Sequence, residues 1–91
     1  MTEEERKVLT NRLCENLTIL RLKLGLSQEE LGDKIGVSRF TVAAFENKKR
    51  EMPWNTFLAL LMVFTKNNET NELLKVFNIY TSDLSSMLKS N

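Results

Sequence analysis

The chain is predicted to fold as a compact, all-α domain of five to six helices. Leucine is its commonest apolar residue, and only three glycines and one proline interrupt its 91 residues. Apolar residues recur every three or four positions over most of the chain, which is the spacing of one helical face. A length of 91 residues is enough for one domain with a single modest core.

The first predicted helix runs from about residue 3 to residue 24. It begins at a capping box formed by Thr2 and Glu5, in which side chains and backbone amides bond reciprocally. Gly25 is expected to end it, because glycine readily adopts the left-handed backbone that follows many helices. The core-facing stripe of this helix is predicted to consist of leucines, namely Leu9, Leu13, Leu17, Leu20 and Leu24.

Two short helices separated by one glycine follow. Ser27 and Glu30 predict a capping box at the start of the second helix, and Ser38 predicts the cap of the third. Gly36 is expected to supply the positive φ of the turn between them, and Gly32 the small residue where the two backbones cross. The inside of the corner is predicted to be filled by Leu31, Ile35, Val37, Val42 and Phe45.

Three further helices are predicted in the second half of the chain. Pro53 and Trp54 are expected to open the fourth, a fifth is predicted over about residues 69–79, and a short sixth after Thr81. The last three residues are expected to fray. Apolar residues after position 65 are expected to form a dimer interface, namely Leu73, Leu74, Phe77, Tyr80, Leu84 and Leu88.

The composition argues against an enzyme, a metal site and a membrane protein. The chain has no histidine, a single cysteine (Cys14) and no glycine-rich phosphate loop, so no base–nucleophile pair or metal cluster is expected. No cofactor and no small-molecule ligand are expected either. No stretch approaches the roughly 20 apolar residues of a membrane span, and the charged N-terminus does not resemble a secretory signal. These features favour the cytoplasm.

Positive charge is concentrated in the middle of the chain. The formal net charge is only +1, but residues 16–50 carry +3, whereas residues 1–15 and 51–91 carry −1 each. The densest basic run consists of Lys48, Lys49 and Arg50. Such a run is either a solvated surface or a site for phosphate, and charge alone leaves both interpretations open.

The outward arc of the predicted helix 38–46 suits a DNA major groove. A projection at 100° per residue turns Thr41 toward the core and leaves five residues on the outward arc, namely Arg39, Phe40, Ala43, Ala44 and Asn47. Arg39 can donate two hydrogen bonds to a guanine edge, and Phe40 and Ala44 offer apolar surface to thymine methyls. The small side chain of Ala43 lets the helix approach the groove closely. The alternative is that Arg39 and Phe40 are ordinary surface residues.

Three motifs carry a family resemblance. They are RLKLGLSQEEL at residues 21–31, GVSR at residues 36–39 and FEN at residues 45–47. With these motifs, residues 16–64 resemble the Xre-type helix-turn-helix domain of phage repressor and Cro proteins. The resemblance implies a lambda-repressor-like core, a helix in the major groove and a role in transcriptional control. It covers about half of the chain and gives no fixed role to the N-terminal helix extension at 1–15 or to the C-terminal helices at 65–91.

The resemblance also implies roles for individual residues. Gln28 is expected to bond a DNA phosphate and to brace the third helix, or else merely to start the second. Arg21 is expected to pair with Glu46 and to lean toward phosphate, although both residues also admit a purely structural role. The base-facing positions fall on Arg39, Phe40 and Ala44. Contacts near the sugar-phosphate backbone fall on Ser38, Thr41, Asn47, Lys48, Lys49 and Arg50.

The chain departs from the family pattern at several positions. Gly32 replaces the usual alanine, a change expected to be compatible and to loosen the second helix slightly. Lys48 stands where the family usually has glycine, which leaves the backbone turn after the third helix open. Val42 and Ala43 replace a common Ile-Ser pair, and Pro53 is displaced by one position.

The leading interpretation is a sequence-specific regulator of transcription, a repressor that binds double-stranded DNA as a homodimer on a two-fold operator. The alternative is an antitoxin-like or other protein-binding module that uses the same fold, with its C-terminal region neutralising a toxin. A prophage, mobile-element or chromosomal origin is left open by the sequence.

Overall fold

The computed structural model describes residues 1–89, which form six α-helices and no strand. The helices are α1 (Glu3–Lys23), α2 (Gln28–Ile35), α3 (Arg39–Glu46), α4 (Trp54–Thr65), α5 (Asn68–Val76) and α6 (Ser82–Lys89). The predicted all-α fold is therefore confirmed. None of these helices is both long enough and apolar enough to cross a membrane. The predicted fraying of the last three residues falls largely outside the described range.

Both predicted capping boxes are present. The Glu5 amide donates to the Thr2 hydroxyl at 3.1 Å, and the Thr2 amide donates to the Glu5 carboxylate at 2.8 Å. Ser27 and Glu30 repeat the arrangement at 2.9 and 3.0 Å. In each pair the hydrogen bonds to the carboxylate favour its ionised form and lower the pKa of the glutamate. The starts of α1 and α2 are thus fixed locally by the sequence.

Three helices end in the same left-handed turn. Gly25, Lys48 and Asn78 follow α1, α3 and α5 with φ angles of 69°, 57° and 58°. After α3 the Lys48 amide donates to the Phe45 carbonyl at 3.1 Å, and the next amide donates to the Ala44 carbonyl at 2.9 Å. This bond pair is the Schellman motif. The same turn at Asn78 explains why α5 stops at Val76 and does not continue to residue 79 as predicted.

One apolar core extends from the first helix to the last. The leucines predicted for α1 are buried at positions 9, 13, 17 and 20, and Phe45 of α3 and Phe57 of α4 are buried against them. The predicted corner residues Leu31 and Val42 are fully buried, whereas Ile35 and Val37 are partly buried at the edge of the core. The core therefore supports α3 through its one buried face.

The two chain extensions contact each other across this core. The guanidinium of Arg12 donates to the backbone carbonyl of Asn78 at 2.9 Å, which joins α1 to the turn after α5. Lys23 and Glu69 form an ion pair of 3.1 Å at the other end of the same two helices. The first helix and α5 therefore lie side by side in opposite directions.

The residues predicted to form the dimer interface are largely occupied within the chain. Leu74 and Leu84 are fully buried, and Leu73, Phe77 and Tyr80 pack against the core. Of the six predicted residues only Leu88 is an exposed large apolar side chain, at 46%. That prediction is wrong for Leu74 and Leu84, because the periodicity of a helix does not reveal whether its apolar face meets its own chain or a partner.

Candidate nucleic-acid interface

The corner between α2 and α3 is built on two glycines. Gly36 has φ 80°, a left-handed conformation that fits the turn. The Gly32 carbonyl accepts from the amides of Gly36 at 2.8 Å and Val37 at 3.0 Å. A Cβ on Gly32 would stand 2.5 Å from the Val37 carbonyl oxygen, closer than such atoms approach. Both glycines have the backbone roles predicted for them, and the alanine that the family usually has at position 32 would not fit this corner without a shift of the backbone.

The third helix is anchored by one face and open on the other. Ser38 caps it, with its hydroxyl accepting from the Thr41 amide at 3.2 Å. Val42 and Phe45 are buried beneath the helix. On the opposite side Arg39 and Asn47 are exposed, and Ala43 and Ala44 are partly exposed small residues. The helix therefore presents a narrow face with long side chains at its start and small ones along its middle.

Phe40 is the most exposed large apolar residue of this face. Its side chain is 72% exposed, and the Arg39 guanidinium carbon lies 4.9 Å from the centre of its ring. Arg39 also approaches Glu29 of α2, with 3.9 Å between Nη1 and Oε2. The two outermost side chains of α3 thus form one exposed cluster with a carboxylate beside it.

Glu46 lies at the centre of a partly buried polar network behind α3. Arg21 donates to its carboxylate from Nε at 2.7 Å and from Nη2 at 3.1 Å, as the predicted pairing requires. Gln28 donates to Glu46 at 3.3 Å, which confirms its bracing of α3. Thr18, which sequence reasoning missed, donates to Glu46 at 2.7 Å. The available signal was its position three residues before Arg21, on the same side of α1.

The ionised form of Glu46 is favoured by this network. Burial leaves the side chain only 5% exposed and raises the cost of its charge. Hydrogen bonds from Arg21, Thr18 and Gln28 outweigh burial and hold the pKa of Glu46 below its ordinary value. The pair with Arg21 therefore fastens α1 to the end of α3 by a charged bond that persists at neutral pH.

Arg21 is mostly committed within the protein. Its side chain is 12% exposed, and besides Glu46 it donates to the Leu26 carbonyl at 2.8 Å. All three nitrogens of the guanidinium thus hold a protein partner. The predicted pairing with Glu46 is present, whereas the predicted approach to phosphate has little free surface to support it.

The basic residues after α3 are exposed beside its C-terminal end. Lys48 takes the left-handed conformation at the position where the family pattern has glycine. Its amine lies 3.8 Å from a Glu15 carboxylate oxygen, so one acidic residue of the N-terminal segment lies beside the basic run. Arg50 reaches back to α3, where its guanidinium donates to the Thr41 hydroxyl at 3.4 Å. Lys49 is exposed between them.

Residues 17–53 match the family model described as helix-turn-helix, HTH_3, of the Xre and lambda-repressor-like kind. This segment is a helix-turn-helix domain. The match begins within α1, contains α2, α3 and the basic link, and ends at the residue before α4. Neither the curated proteins nor the solved structures gave a significant match to the chain.

The helix-turn-helix domain supports the assignment of a DNA-binding regulator. The motif consists of α2 and α3. Its second member, α3, is the helix that such domains insert in the major groove, with the N-terminal residues toward the bases. In this chain that position belongs to the exposed cluster of Arg39 and Phe40. The family is one of regulators and is not typically enzymatic.

Proposed function

We propose that the chain is a sequence-specific transcriptional repressor that acts in the cytoplasm and inserts α3 into the DNA major groove as a homodimer. The observation that carries this proposal is the division of α3 into two faces. Val42 and Phe45 are buried, whereas Arg39, Phe40 and Asn47 are exposed on the opposite side. Phe40 is 72% exposed and lies beside Arg39 at the start of this open face, where a base contact would be made.

The exposed residues divide into base contacts and phosphate contacts. Arg39 recognises a guanine, while Ala43 and Ala44 let the helix approach the groove floor. Phosphates are contacted from both ends of α3. Those contacts are made by Gln28 at the start of α2, by Ser38 and Thr41 at the start of α3, and by Asn47, Lys48, Lys49 and Arg50 in the segment that follows α3. Arg21 acts as a positioning residue through Glu46.

The homodimer supplies the specificity that one short helix lacks. Two recognition helices about 34 Å apart enter successive major grooves on one side of the duplex. The C-terminal region 65–91 retains exposed apolar side chains for this contact, because Val76 is 70% exposed and Leu88 is exposed at the end of the described chain. Met62 of α4 is exposed as well, at 65%. Sedimentation tests this part, with a dimer expected at micromolar concentration and a pure monomer, with and without DNA, contradicting it.

Selection of binding sites from random duplex DNA tests the DNA-binding function. The expected result is an enriched site with two related half-sites spaced by about one helical turn. The same selection with Arg39→Ala is the matched control and is expected to lose the preference at one base pair in each half-site. A pool that stays random through repeated rounds would overturn the proposal.

The exposed side chains of Met62 and Val76 also favour a second candidate, an antitoxin-like or other protein-binding module. Their two side chains lie outside the α2–α3 corner, so partner binding need not disturb the DNA face. Co-expression with the product of a neighbouring reading frame tests this candidate. A complex that survives Arg39→Ala but not Val76→Glu supports it, and separate elution of the two proteins contradicts it.

A further inference from the structure

The contact between Arg39 and Phe40 is unusual for neighbouring residues of a helix. Side chains at i and i+1 point about 100° apart and do not normally face each other. Here the guanidinium carbon nevertheless lies 4.9 Å from the ring centre, although both side chains are exposed. The ring therefore holds the arginine by a cation–π interaction at the tip of the recognition helix.

The separation of the two groups matches neighbouring base pairs. Base pairs rise by about 3.4 Å along the duplex, so pairs two steps apart are separated by about 6.8 Å of rise alone. Neighbouring pairs are separated by the single rise plus a lateral offset from helical twist. A pair of groups 4.9 Å apart therefore fits two adjacent base pairs better than two pairs separated by a third.

The chemistry of the two groups selects the bases. A guanidinium donates in bidentate fashion to the O6 and N7 atoms of guanine. An exposed phenyl ring has no hydrogen bond to offer, and the apolar group available in the major groove is the C5-methyl of a pyrimidine. A methyl beside the guanine also packs against the flat face of the bound guanidinium.

We propose that Arg39 and Phe40 act together as one recognition unit for a guanine next to a 5-methylpyrimidine. This inference rests on the proposed insertion of α3 in the major groove and names its ligand. The pyrimidine is thymine or 5-methylcytosine, because both carry the same C5-methyl. Phe40 is then a specificity-determining residue, and cytosine methylation strengthens binding at this step.

Glu29 restrains the arginine on its other side. Its carboxylate lies 3.9 Å from the Arg39 guanidinium, so the arginine has an ion pair at one edge and an aromatic ring at its face. Both contacts are made within the helix-turn-helix itself, so they favour one orientation of the guanidinium before DNA is bound. The carboxylate also disfavours a phosphate at the same position through like charge.

Removal of the methyl from the DNA tests the inference directly. In a duplex obtained by selection, the thymine beside the guanine is replaced by uracil, which differs only in lacking the methyl. The full chain is expected to bind the uracil duplex about fourfold more weakly, the effect of one buried methyl. A second duplex carries cytosine or 5-methylcytosine there, and the methylated form is expected to bind about fourfold more tightly.

Phe40→Ala separates the role of the ring from a general effect of the methyl. The variant is expected to fold, because the side chain is 72% exposed, and to bind thymine and uracil duplexes equally. The inference is overturned if the wild type is indifferent to the methyl, if the fourfold difference persists in Phe40→Ala, or if selected sites lack this step. Absence of any selected site defeats the proposed function itself, a separate outcome.

Discussion

Gly32 and Val37 lie so close that a single methyl group between them has no room. A Cβ on Gly32 would be 2.5 Å from the carbonyl oxygen of Val37 and 3.3 Å from the carbonyl carbon of Ser38. Both neighbours are backbone atoms at the start of α3, so they cannot rotate away as a side chain can. The closeness of α2 to α3 is therefore fixed by the absence of a side chain at position 32.

Gly32→Ala is expected to lower the free energy of unfolding by about 1–3 kcal/mol, the usual cost of overpacking. The sign is the informative part, because glycine to alanine inside a helix ordinarily raises stability by about 0.5–1 kcal/mol. Urea unfolding measures the difference, with Asp33→Ala on the exposed side of α2 as a control that changes stability by less than about 0.5 kcal/mol. A Gly32→Ala protein more stable than the wild type would falsify the geometry of the corner.

Acid is expected to weaken the protein partly through Glu46. The pKa of Glu46 is lowered in the folded chain, so its contribution is complete above its ordinary pKa of about 4.5 and is lost as pH falls through the folded value. Glu46→Gln is expected to cost about 1–3 kcal/mol at pH 7, because it weakens bonds to a buried arginine.

The difference between wild type and Glu46→Gln should therefore narrow below pH 4.5. Glu5 and Glu30, whose pKa values are also lowered, are present in both proteins and cancel in this comparison. Denaturant unfolding at pH 7, 5, 4 and 3 measures the difference. If the difference in the free energy of unfolding stays constant from pH 7 to pH 3, the pKa of Glu46 is not lowered in the folded protein.

The left-handed turn at Lys48 predicts that glycine is more stabilising than alanine at this position. A residue with a Cβ costs about 1–2 kcal/mol in this conformation, and glycine avoids most of that cost. Lys48→Gly is expected to be about 1 kcal/mol more stable than Lys48→Ala, which keeps the Cβ and also lacks the charge. The two variants should lose DNA affinity equally. Equal stability of the two would mean that the turn is not strained in the folded protein.

The local signals of the sequence predicted the positions of the helices well. The capping boxes at Thr2 and Ser27 fixed two helix starts, because such a box involves only residues three apart. The pairing of Arg21 with Glu46 was available only through the family resemblance, since 25 residues separate the two. The left-handed conformation of Lys48 was left open, because nothing local compels a lysine to adopt it.

The tertiary environment could not be predicted from periodicity alone. Leu74 and Leu84 have the spacing of an amphipathic helix whether they pack in their own core or against a partner. Thr70 is buried with its hydroxyl donating to the Phe64 carbonyl at 2.6 Å, a contact that no pattern in the sequence indicates. The exposure of Phe40, by contrast, followed directly from its position on the helical wheel.

DNA binding is expected to depend strongly on salt although the net charge is near zero. Lys48, Lys49 and Arg50 of both protomers supply about six cations, and each neutralised phosphate contributes about −0.9 to the slope of log K against log salt. Since Lys48 is close to Glu15, we expect a slope of about −4 to −5. Titration of a selected duplex between about 50 and 300 mM salt measures it.

Lys49→Ala should make that slope shallower by about 2 in a dimer, one for each protomer. Lys75→Ala is the matched control, because this lysine lies on α5, pairs with Glu72 and is expected to leave the slope unchanged. A flat response of the wild type to salt would mean that the basic link does not contact phosphate, and the protein-binding alternative would then be preferred.

The most direct test of base recognition by α3 is the affinity of Arg39→Ala for a selected duplex and for a scrambled duplex of the same length. The side chain is exposed, so urea unfolding should match the wild type. Loss of a bidentate guanine contact corresponds to about 1–3 kcal/mol, or roughly fivefold to 150-fold weaker binding to the selected duplex for each contact. Binding to the scrambled duplex should change by less than about twofold. An equal loss on both duplexes would contradict the assignment of Arg39 to a base and place it on the phosphates.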